Sequence, residues 1–240
     1  MRSTNPFAFW RWEALFQNFE GFGSGFLRTL AVAFLALVLA LIIGIIIGVF
    51  STSKSKVLNG IARVYVEFFQ NIPLVIQIFF MYNGLAMVGL TLTEFTIGVL
   101  GVGLYHGAYI GEVVRAGITS IPQGQTEAAY SEGFSYVQTM RYIVIPQTVK
   151  IVLPPLANQA VNLIKNTSVL AIIAGADLMY AADSYASSSL NYGPAYVVAG
   201  LLYFILCFPL ATFARKYEEK LKRNDYVTVD TTLELPEVTE

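Results

Sequence analysis

Residues 30–50 run for 21 positions without a charged side chain. At 1.5 Å per residue in a helix, that is enough to cross the ~30 Å of hydrocarbon in a bilayer. A soluble domain has little use for such a segment, so the other apolar blocks are read as spans too. Composition agrees: 55% of the 240 residues are hydrophobic and 13% are charged, about half the charged share of a soluble domain. Ahead of the run, residues 1–28 mix Trp10, Trp12 and several phenylalanines with Arg2, Arg11, Glu13, Glu20 and Arg28. That mixture suits a helix lying in the membrane interface. The run behind it is about twice the length of a signal-peptide core, so it reads as a retained span.

Four more spans follow, at about 65–87, 95–114, 156–174 and 194–213. The second opens on Glu67, Gln70 and Asn71 before Pro73, which frees backbone carbonyls that need partners at membrane depth. In the third, Gly103, Gly107 and Gly111 recur every four residues and make a smooth face for close helix approach. Glu112 and Arg115 are spaced to pair near its end. Pro154 and Pro155 fit the first turn of the fourth span. Residues 177–192, rich in Ser, Ala and Tyr, read as a loop, and about the last 15 residues as disordered. The expected fold is an all-α integral membrane protein: an interfacial segment at 1–28, a five-span domain at 29–215 and a tail at 216–240.

Charge sets the orientation. Lys54, Lys56 and Arg63 lie between spans one and two; Arg115, Arg141 and Lys150 lie between spans three and four. Arg215, Lys216, Lys220, Lys222 and Arg223 follow span five. Together these are eleven of the fifteen Lys and Arg residues. The positive-inside rule puts those segments in the cytoplasm and the N-terminus outside. Net charge is -1, which leaves no nucleic-acid footprint. Cys207 and His106 are each the only residue of their type. Both sit in apolar runs, read as packed there, and give no disulfide or metal spacing.

The cytoplasmic insert, about 116–153, is the longest polar interruption. Residues 125–130 favour helix. Gly133 suits the left-handed position that stops a helix. Ser135 with Gln138 spells a capping box, and Pro146 reads as the end of the second helix. On physical grounds this hairpin is either an amphipathic element lying on the membrane or a joint that transmits force.

Spacing favours the joint. Glu127-Ala128-Ala129, three residues, Gly133, nine residues, Ile143, one residue, then Ile145-Pro146 resembles the EAA motif of ABC importer permeases, with Ile145 where leucine is usual. The sequence 108–118, the stretch 121–125, Pro146-Gln147 and the stretch 165–170 are similar to the polar amino acid permease family. So is 67–74, except that Gln70-Asn71-Ile72 replaces the usual Arg-Gly-Thr. The resemblance covers roughly 25–220. It implies a type I ABC importer permease fold and a pairing with a second permease subunit. It further implies docking of the insert on cytoplasmic ABC ATPase subunits through Glu127, Ala128, Ala129, Gly133, Ile143 and Pro146. A solute-binding protein would deliver an amino acid from outside. No Gly-x-x-x-x-Gly-Lys-Ser/Thr phosphate loop occurs, so this chain is expected to be a transport subunit and not an enzyme, to bind no cofactor, and to leave ATP and magnesium to the partner.

Asn158, Asn162 and Asn166 are four apart and share a helix face, with Lys165 near it. Polar side chains at membrane depth line cavities or join helices. The expected route for a zwitterionic solute is this face together with Glu67 and Gln70; the competing role is glue between helices. Lys165 favours glutamine or an acidic amino acid over arginine. A stand-alone secondary transporter is the alternative class, although five spans without an internal repeat do not form two inverted halves.

Overall fold

The computed structural model describes residues 5–230, with side chains through Leu221; the final ten residues of the expected disordered tail lie outside it. Among the described residues every regular element is a helix. α1 (Phe9–Gln17) precedes the long α2 (Glu20–Ser51), so the first membrane helix begins well before the uncharged run. α3 (Lys56–Asn71) ends at Pro73. The chain then bends by 97° into α4 (Leu74–Phe79), a widened π turn (Phe80–Gly84) and α5 (Leu85–Met87). α6 (Glu94–Thr119) leads to the short α7 (Gln123–Ser131) and α8 (Tyr136–Thr139). A second π turn (Met140–Val144) joins α8 to α9 (Ile145–Asn166), which tightens into a 3-10 segment (Thr167–Ile173). α10 (Leu178–Ser189) and α11 (Tyr192–Asp230) complete the described chain. Among the described residues three helices are long and apolar enough to cross a membrane, or up to five spans if each of two bent helix pairs counts as one.

The bundle is built on α2 and α6, which run parallel. The glycine face expected on α6 is real, and α2 answers it. A Cβ at Gly103 would lie 3.2 Å from the Ala36 carbonyl oxygen, one at Gly111 2.9 Å from Ile47, and one at Gly48 2.5 Å from Val114. Without side chains at these positions the two backbones close to a distance that larger residues forbid. Around this seam Val32, Ala36, Ile78, Ile97, Ile110, Leu163 and Leu170 form the main core. A second core of Leu15, Phe22, Leu178, Ala182, Ala186 and Ala195 ties α1 and α10 to α11. Arg11 donates to the Leu190 carbonyl at 2.9 Å, which docks α1 on that end of the bundle.

Four expectations are corrected. Pro146 does not end a helix: the π turn before it absorbs the missing N–H, and the chain continues helical into α9. Pro154 and Pro155 lie inside α9 and do not open it. Residues 178–189 are a helix, capped where the Asp177 carboxylate accepts the Met179 N–H at 3.0 Å. Thr29 Oγ1 accepts the Leu178 N–H at 3.0 Å and fastens that helix start to α2. Finally, the last helix reaches Asp230, past the point where order was expected to end.

Candidate functional site

Two sites emerge at different depths along α9. The deeper one is a cavity of about 410 Å³ between α6 and α9. Tyr105, His106 and Tyr109 line it from α6; Gln159, Asn162, Lys165 and Asn166 line it from α9. Helical spacing explains both walls: three or four residues return a side chain to the same face. The Tyr105 and Tyr109 hydroxyls share a hydrogen bond at 3.0 Å. His106 is only 2% exposed, and its Nε2 lies 3.0 Å from Asn166 Nδ2. Asn162 and Lys165 are exposed along the open flank of α9. The lining thus carries one ammonium group, three carboxamides and two phenols, and no carboxylate.

The expected set of polar residues is divided. Asn162, Lys165 and Asn166 meet in this cavity. Asn158 is exposed in a separate groove toward the start of α9, with Lys150, Pro154 and Pro155. Glu67 and Gln70 are elsewhere altogether: the break at Pro73 turns α3 away, and they line a cleft with Arg63, Glu112 and Arg115. There Arg63 donates to Glu67 at 2.8 Å, and the expected Arg115–Glu112 pair forms at 2.7 and 3.1 Å. The sequence reading missed His106, Tyr105, Tyr109 and Gln159. A lone histidine in an apolar run reads as packed, which His106 also is. The signal for its place in the cavity wall was that it shares one helix face with Tyr105 and Tyr109.

The second site is the α7–α8 hairpin. Gly133 adopts φ +83°, the left-handed conformation open to glycine. Ser135 accepts the Gln138 N–H at 3.4 Å while Gln138 Oε1 accepts the Ser135 N–H at 2.8 Å, completing the expected capping box. Glu127, Ala128, Gly133 and Pro146 are exposed and Ile143 half-buried. Ala129 is only 7% exposed, yet it lines a shallow groove of about 520 Å³ together with Gln125, Ala128, Glu132, Phe134 and Ile143. The Gln147 carboxamide donates both to Gln125 Oε1 and to the Ile143 carbonyl, and so fastens α7 to the first turn of α9. α9 then carries that attachment, without a gap in helical structure, to the Asn162 and Lys165 wall.

Residues 40–223 match the family described as binding-protein-dependent transport system inner membrane component. The chain is 41% identical over 210 residues to a probable glutamine ABC transporter permease protein, GlnM, of Bacillus subtilis, covering 88% of this chain and 97% of that protein. It is 35% identical over 197 residues to a second probable glutamine ABC transporter permease protein of that organism, GlnP, covering 81% of this chain and 90% of the relative. Among solved structures it is similar to a chain of an amino acid ABC transporter with histidines, at 31% identity and a TM-score of 0.81. That likeness covers 87% of this chain and 98% of the other.

Proposed function

Because the chain belongs to the binding-protein-dependent transport system inner membrane components and is an amino acid ABC transporter permease subunit, we propose that it forms the membrane path for glutamine or an acidic amino acid, powered from outside itself. A separate cytoplasmic ABC ATPase binds ATP and magnesium and docks on the α7–α8 hairpin. An extracytoplasmic binding protein hands the amino acid over, and a second permease subunit closes the open flank of α9. The N-terminus is outside and the C-terminus inside, the orientation that the Lys and Arg distribution favours.

The observation that supports this reading is the continuous helical connection between hairpin and cavity. A push on α7 moves Gln125, Gln125 holds Gln147, and Gln147 stands at the head of the helix that bears Asn162 and Lys165. Closure of the ATPases would shift one cavity wall against α6 and change access to it. The cavity chemistry suits a zwitterion: Lys165 meets a carboxylate, and carboxamide oxygens accept from an ammonium. With one ammonium and no carboxylate in the lining, a cationic amino acid would be repelled.

The test is reconstitution. In proteoliposomes that hold the permease, its ATPase and its binding protein, labelled glutamine should accumulate only with internal ATP. Uptake by the permease alone down an ion gradient would make it a secondary transporter and overturn the proposal.

A further inference from the structure

Tyr105 and Tyr109 stand one helical turn apart on α6, with ring centroids 5.0 Å apart and hydroxyl oxygens 3.0 Å apart. Their hydrogen bond joins neighbouring turns of one helix, which the backbone already holds together. Other tyrosine hydroxyls bond between elements. Tyr65 donates to the Leu104 carbonyl at 2.7 Å and fastens α3 to α6; Tyr196 donates to the Asp183 carboxylate at 2.8 Å and fastens α11 to α10. The Tyr105–Tyr109 bond fastens nothing. Both side chains are half-buried, and both line the cavity from the α6 side, with Asn162 and Lys165 on the α9 side.

Each phenol has one O–H to donate and accepts through its oxygen. The bond within the pair uses one O–H, so the accepting hydroxyl keeps its own proton to donate. The donating hydroxyl keeps its lone pairs to accept. Whichever tyrosine donates, the pair offers one donor and one acceptor side by side. A primary carboxamide presents the complement on one carbon, an oxygen that accepts and an NH2 that donates. A carboxylate only accepts, and a guanidinium only donates. We infer that Tyr105 and Tyr109 determine specificity: their hydroxyl pair takes the side-chain carboxamide of the substrate, while Lys165 takes its α-carboxylate. The selected class is an amino acid with an uncharged amide end group, glutamine in preference to glutamate. Glutamate brings a second carboxylate oxygen against the lone pairs of the acceptor hydroxyl, and a site built to bond a donor discriminates against the analogue that lacks it. This inference rests on the reading of the cavity as the substrate route.

Equilibrium binding of labelled glutamine to the assembled permease–ATPase complex, with the binding protein omitted and unlabelled glutamate as competitor, tests it. Phenylalanine keeps both rings and removes only the hydroxyls. The double variant Tyr105→Phe, Tyr109→Phe should weaken glutamine binding at least about tenfold, the effect of two lost hydrogen bonds. Glutamate loses a donor and a repulsive lone pair together, so its binding should stay within about threefold. The preference for glutamine therefore falls, while complex yield on size exclusion matches that of the unaltered protein. Unchanged glutamine binding by the double variant, or an unchanged ratio of glutamine to glutamate affinity, would overturn the inference. So would a double variant that fails to assemble, because the pair would then be holding the fold. Asn162→Leu and Lys165→Gln keep the two readings apart. If both bind glutamine like the unaltered complex, the cavity is not the route; if both lose binding while the double phenylalanine variant does not, only the role of the tyrosine pair falls.

Discussion

The Gln77 carboxamide donates to the Phe69 carbonyl at 3.0 Å and to the Ile72 carbonyl at 2.8 Å. Pro73 has no N–H to return to Phe69, four residues back, so the break between α3 and α4 would leave that carbonyl bare in an apolar setting. Gln77, only 8% exposed, takes the place of the missing donor. One side chain therefore supplies the donors that the 97° turn leaves missing. Gln77→Leu should destabilise the protein by about 1–3 kcal/mol, the cost of unsatisfied buried carbonyls. Thermal unfolding in detergent would read it, with amide exchange rising first around residues 69–73. An unchanged melting temperature would mean water already serves those carbonyls.

Packing of α2 on α6 gives a prediction with two signs. A Cβ at Gly48 meets the Val114 side chain at 2.5 Å and the Gly111 carbonyl oxygen at 2.9 Å, so Gly48→Leu has nowhere to go. It should cost at least about 1–3 kcal/mol through overpacking. Gly60, inside α3, has nothing within 4 Å of the same position. Gly60→Ala should stabilise by about 0.5–1 kcal/mol, since alanine loses less backbone freedom on folding. Melting temperatures of the two variants, measured side by side, should move in opposite directions.

These examples mark what the sequence made legible. The Gly103, Gly107 and Gly111 face, the Glu112–Arg115 pair, the Ser135 capping box and the turn at Gly133 all depend on spacings shorter than one helix, and each formed as read. What failed depended on geometry between elements. Glu67 and Gln70 share a stretch with Leu74, but Pro73 redirects them to a different end of the bundle. The helix 178–189 was hidden because its serines mask the spacing of Leu178, Ala182 and Ala186, the residues it buries. Pro146, Pro154 and Pro155 looked like helix boundaries, yet a π turn and tertiary packing carry α9 through all three. His106 was legible as buried but not as part of a polar cavity wall, because its partner Asn166 is sixty residues away.

The hairpin yields a prediction about coupling. Gly133 holds φ +83°, where any larger residue is strained by about 1–2 kcal/mol. Gly133→Leu should reset the angle between α7 and α8 without touching the core. Gln125→Leu should instead leave the hairpin shape intact and cut its tie to Gln147. In proteoliposomes that contain the ATPase and binding protein, both variants should lose at least about tenfold in glutamine uptake per ATP hydrolysed, a change of about 1.4 kcal/mol in coupling. Assembly should separate them: Gly133→Leu weakens ATPase docking in pull-downs, and Gln125→Leu does not. A Gln125→Leu complex with normal stoichiometry would show that force reaches α9 by another path.

Asn162 decides between a route and a glue. It is exposed on α9, beside Lys165 and facing the cavity shared with α6, and it makes no hydrogen bond within the described residues. A side chain that glued helices together would be bonded across them, as Asn166 is to His106. Asn162→Leu should therefore leave assembly and melting temperature within about 0.5 kcal/mol of the unaltered protein, as for a surface position without partners. Uptake should nonetheless fall by at least about tenfold, because a polar solute loses a carboxamide contact and meets an apolar side chain on its way. Lys165→Gln should weaken uptake as well, and should relax discrimination against arginine by removing the only cation in the lining. Competition by unlabelled arginine against labelled glutamine measures that directly. If Asn162→Leu lowers the melting temperature as much as it lowers uptake, the residue holds helices together and the solute passes elsewhere.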